Sequence, residues 1–83
     1  SREFRASASP RRVMARDGLY QGSLETQMPA QLIRITIQGE PPLFPEISGH
    51  KNRFAIRFLR GNDEGPPEPV HEDLEFTLTC CVL

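Results

Sequence analysis

The reactive side chains of this chain gather toward its last thirteen residues, where His71, Glu72 and Asp73 precede a strand-like run that ends in Cys80, Cys81, Val82 and Leu83. With Leu83 as a terminus, these four residues satisfy a Cys-aliphatic-aliphatic-X box in which Cys80 would be alkylated, and the final Leu favours a geranylgeranyl group. Alkylation needs a flexible tail, however, and here the tail follows LEFTLT without a spacer, beside acidic residues that an anionic leaflet would repel. The competing reading of Cys80 is a small hydrophobe ending a strand. Adjacent cysteines lack the two-residue gap by which two thiolates grip one zinc, and their side chains point apart in a strand, so neither a zinc site nor a mutual disulfide is expected. His50 and His71 stand in separate segments without ligand spacing, and no Ser sits in a nucleophile-elbow context. No metal, no cofactor and no catalytic residue is therefore expected, and the chain reads as a binding protein that is not an enzyme.

The elements that must position these groups follow from periodicity. Ile33, Ile35 and Ile37 alternate with Arg34, Thr36 and Gln38; Phe54, Ile56 and Phe58 flank Arg57; Leu74, Phe76 and Leu78 alternate with Glu75, Thr77 and Thr79. A period of two assigns each run one buried and one wet face, which is the pattern of half-buried antiparallel strands. Gly39 to Asn52 holds three prolines and Gly49 and reads as a loop, as does Gly61 to Pro69. Leu19, Tyr20 and Leu24 suit a short edge strand or an ordered lead-in.

Size and charge bound the rest. At 83 residues, with 37% hydrophobic residues and no Trp, the chain is a single domain with a thin core. Its net charge of −1 hides a segregation. Residues 1–17 carry five Arg against Glu3 and Asp17, a balance of +3, whereas residues 61–83 carry six acidic residues and no Lys or Arg. The basic segment has neither a dense Lys/Arg run nor interleaved aromatics, so it reads as a disordered arm with a helical turn after Pro10, and no nucleic-acid partner is expected. No apolar signal core and no membrane-length apolar run is present, which leads to the expectation of a cytoplasmic protein, or one exported by a non-classical route.

The order AQLIRITIQGEPP, NRFAIRFLRGND, EDLEFTLTCCVL resembles the first half of a galectin-type carbohydrate-recognition domain over residues 18–83. The resemblance implies a galectin-like partial β-sandwich and a polar face for a glycan. With Phe76 set against the family's Phe, Thr77 and Thr79 fall where galectins have His and Asn, while Cys80 and Cys81 replace Pro and Arg. A thiol is a poor substitute for a guanidinium fork in directional recognition of hydroxyls, so ordinary β-galactoside binding is expected to be lost or altered.

The expectation carried forward is an all-β, small antiparallel sheet with a disordered N-terminal arm (1–17) and a galectin-like domain (18–83). Arg57, Thr77 and Thr79, with Arg34 nearby, would face a glycan or protein partner. The third strand would leave an open edge for self-association. The alternative is a protein anchored at a membrane through a prenyl group on Cys80.

Overall fold

A computed structural model describes residues 10–23, 31–38, 42–50 and 53–82. They form an all-β, antiparallel structure of seven strands: β1 (Arg11–Ala15), β2 (Leu19–Ser23), β3 (Gln31–Ile37), β4 (Leu43–His50), β5 (Arg53–Arg60), β6 (Glu68–Pro69) and β7 (Leu74–Val82). Two sheets are built, one in the order β1-β7-β3 and the other β2-β5-β4, with β6 pairing the end of β5. The three alternating runs seen in the sequence are β3, β5 and β7.

Their apolar positions meet between the sheets. Phe54, Ile56 and Phe58 from β5 and Phe76 and Leu78 from β7 are buried, together with Ala15 and Val70. Phe58 and Phe76 have ring centroids 4.8 Å apart, and Tyr20 meets Phe76 edge-on at 5.5 Å, so aromatic contacts join one sheet to the other. Ile35, Ile37 and Leu74 pack at the margin of this layer. Full burial of side chains such as Phe58 and Ile56 contributes about 1.5–3 kcal/mol each, and no polar residue is buried among those described.

The chain first passes from one sheet to the other, from β1 to β2, at a tight turn. Arg16 and Leu19 exchange both backbone hydrogen bonds, at 2.9 and 3.0 Å, around Asp17 (φ 56°) and Gly18 (φ 74°). Two successive positive φ values define the turn type that suits a twisted hairpin, and an Asp-Gly pair supplies them at little cost. Beyond this bridge the two arms separate, β1 to β7 and β2 to β5.

Three expectations need correction. Pro10 is followed by β1, not by a helical turn: Val13 packs against the core opposite Phe76, and Arg11–Ala15 therefore lie within a sheet. Residues 1–9 of the expected arm lie outside the described residues. The segment read as a loop from Gly39 to Asn52 contains β4, which pairs with β5 throughout Leu43–His50. Proline is excluded from central strands because it cannot donate to the ladder, but β4 is an edge strand. The backbone N–H of Phe58 donates to Gly18 and its carbonyl accepts from Val70, both on the β2 flank. Phe58 therefore turns no hydrogen-bonding group toward β4, and its partner Pro45 in the register needs no N–H there. Lastly, β7 is no open edge: β1 pairs with one side and β3 with the other.

Candidate interaction surface

The polar positions named from the sequence do not share a surface. Arg57 points outward from β5, between Leu19 on β2 and Glu46 on β4. Thr77 and Thr79 point outward from β7, which belongs to the other sheet; Thr77 lies between Arg12 and Thr36, and Thr79 lies opposite Arg34. The outer faces of two stacked sheets look in opposite directions, so Arg57 and the two threonines cannot converge on one ligand. Cys80 takes part in the β7 ladder opposite Ile33. His71 is exposed in the loop before β7, its Nδ1 3.4 Å from Asp17, and His50 ends β4 opposite Arg53.

Around Thr77 the outer face of β1-β7-β3 forms a cleft of about 340 Å³ lined by Arg12, Thr36, Gln38 and Glu75. Its charge is already matched, since Arg12 donates to Glu75 at 3.2 Å. This pair belongs to a series. Arg16 lies 3.9 Å from Asp73 and Arg60 3.0 Å from Glu72. Through Arg12 and Arg16 the basic segment thus faces the acidic one across β1 and the approach to β7, and Arg60 reaches the same approach from β5. Apart from the half-buried Arg60 these groups are largely exposed, so the pairs of Arg12 and Arg16 contribute at most about 1 kcal/mol each.

The outer face of β2-β5-β4 is different in character. Phe44 is 46% exposed beside the half-buried Leu59, and Arg57 and Ala55 continue this face along β5, with Leu19 of β2 opposite Arg57. Toward the β4–β5 hairpin the side chains become small. Ser23, Ser48, Ala55, Gly22 and Gly49, together with Gln21, Arg53 and Phe54, line a cleft of about 580 Å³. Neither Arg53 nor Arg57 forms an ion pair among the described residues. Phe44, Arg53 and Arg57 are exposed on this sheet, and aromatic and arginine side chains are those enriched in protein-contact surfaces. Of these three only Arg57 is singled out from the sequence. Phe44 is hidden in the sequence because three prolines make its segment read as a loop.

Residues 2–57 match the profile of ZapD, a cell division protein. The chain belongs to the ZapD family. It is 42% identical over 69 residues to the cell division protein ZapD of Methylococcus capsulatus, a match covering 83% of this chain and 27% of that protein. It is 39% identical over 81 residues to ZapD of Coxiella burnetii, covering 94% and 31%, and 44% identical over 78 residues to ZapD of Photorhabdus laumondii, covering 94% and 29%. This ZapD-family chain thus spans under a third of the length of these relatives.

Membership overturns the galectin resemblance, and with it the lectin function, the glycan partner and the prenylated alternative. The reason for the misreading is physical. ITIQG, RFAIRF and LEFTLT record apolar-in, polar-out alternation, which any half-buried antiparallel strand shows regardless of family. Among the described residues, no group of His, Cys, Asp and Glu in the ZapD-family chain could hold a metal ion.

Proposed function

We propose that this chain is a β-structured interaction module of a bacterial cell division protein, acting in the cytoplasm by holding another protein of the division apparatus and catalysing no reaction. The module comprises the β unit that begins at Pro10. The observation that carries the reading is the outer face of β2-β5-β4, where Phe44 stands 46% exposed two positions along the strand from Glu46, itself opposite Arg57. An aromatic ring and a guanidinium on one rigid sheet can supply the few contacts that dominate protein association. Arg57 keeps a binding role in this reading, with a protein surface as its ligand.

The test is made in full-length family protein carrying Phe44→Ala or Arg57→Glu, tagged and followed in dividing cells that lack the unsubstituted copy. Recruitment to the division site should fall for both, with binding weakened by about 2 kcal/mol or roughly 30-fold for a central contact. Arg34→Glu, on the outer face of the opposite sheet, should recruit normally. Normal recruitment of correctly folded Phe44→Ala and Arg57→Glu would refute the assignment of this face.

A further inference from the structure

The free flank of β4 carries an argument independent of the outer face. Because Phe58 directs its backbone groups to Gly18 and Val70, alternate residues of β5 point toward β4, and the register transfers the same parity across. Phe44, Glu46 and Ser48 therefore turn their N–H and C=O groups toward β5, and Pro45, Ile47 and Gly49 turn theirs outward. Proline blunts the edge at one position by removing a donor. Ile47 and Gly49 each keep a donor and an acceptor, and Pro45 keeps an acceptor. Among the described residues no strand pairs with this side of β4.

Side chains along the edge define what would fit. Ile47 lies opposite the fully buried Ile56 and so belongs to the inner layer, yet it is 45% exposed: the apolar layer is not closed at this flank. Glu46, on the outer side, is the only charged side chain described on β4, and it forms no ion pair among the described residues, although Arg57 stands opposite it in the register.

We propose that the edge of β4 from Pro45 to Gly49 takes up an extended peptide as a further antiparallel strand, with an apolar side chain opposite Ile47 and a basic one opposite Glu46. Both side chains are needed at adjacent peptide positions, because neighbours in a strand face opposite sides. The peptide's backbone would pair with the free groups of Ile47 and Gly49, its apolar side chain would close the inner layer, and its cation would meet the unpaired carboxylate. Main-chain pairing supplies the affinity and the alternating side chains the selectivity.

The experiment titrates the 83-residue chain with a blocked synthetic peptide of alternating valine and lysine, recording amide spectra and hydrogen exchange. The amides of Ile47 and Gly49 should shift and exchange more slowly. N-methylation of alternate peptide residues should abolish the effect. Replacing lysine by glutamate in the peptide should weaken binding about fivefold or more, and Glu46→Lys should invert that preference. Ile47→Pro, which removes one edge donor without touching the β5 ladder, should weaken binding by a similar factor. If that variant loses its dispersed spectrum, the N-methylated peptide reads the same hydrogen bonds from the other strand. Absence of any shift, shifts confined to other strands, or binding indifferent to N-methylation would overturn the proposal.

Discussion

Gly18 is the residue on which most of the turn geometry depends. Its φ of 74° is open to glycine, and a Cβ there would collide with the carbonyl of Val70. Its N–H donates to Glu72 and its carbonyl accepts from Phe58, so one residue ties the turn to the β7 approach and to β5. Gly18→Ala should lower stability by roughly 2 kcal/mol or more, read as a shift of the urea midpoint at constant slope. Phe58→Ala, which empties the centre of the aromatic contact, should cost about 3–5 kcal/mol in the same measurement. Asp-Gly is among the strongest local hairpin signals, and it was present in the sequence. The signal is masked because the preceding RRVMAR reads as a basic arm when charge is weighed before turn chemistry. At this scale the buried positions were legible: Phe54, Ile56, Phe58, Phe76 and Leu78 all face the core.

At the scale of elements, β1 and β4 were the strands that pattern alone did not yield. β1 offers a short apolar stretch inside a cluster of arginines, and its place is settled by a partner more than fifty residues away: Arg11 pairs with Leu78 and Ala15 with Leu74. Local charge cannot disclose so distant a complement. A double-mutant cycle on Arg12 and Glu75 should give a coupling of about 0.2–1 kcal/mol that weakens with added salt. β4 was hidden by Pro45, whose tolerance depends on which flank of the strand is free. The same parity makes a prediction within β4 alone. Glu46→Pro should destabilise by about 1–3 kcal/mol more than Ile47→Pro, since it removes a donor from the β5 ladder.

For the molecule as a whole, alternation discloses which face of each strand is inward but not which strands are neighbours. Arg57, Thr77 and Thr79 could therefore be read as one surface until β5 and β7 proved to lie in different sheets. The candidate surface was accordingly only partly legible: Arg57 stood out, while Phe44 needed the register of β4 against β5 to place it on the same face. The central strands β5 and β7, paired on both sides, should show the slowest amide exchange, and β3 and β4 the fastest among the long strands.

The pairing of β1 with β7 also dictates when the structure can exist. The first described strand must wait for the last, because Val13 buries itself only once Phe76 has arrived, so one sheet closes across nearly the entire described chain. A growing polypeptide can assemble the β4–β5 hairpin early, but the aromatic side of β5 then remains uncovered until β7 is made. Such distant closure places folding in the slow regime of milliseconds to seconds. During synthesis, the vulnerable interval is the time needed to add the thirteen residues between β5 and β7 and then β7 itself, in which Phe54, Ile56 and Phe58 stand ready for any chaperone or stray neighbour that reaches them first.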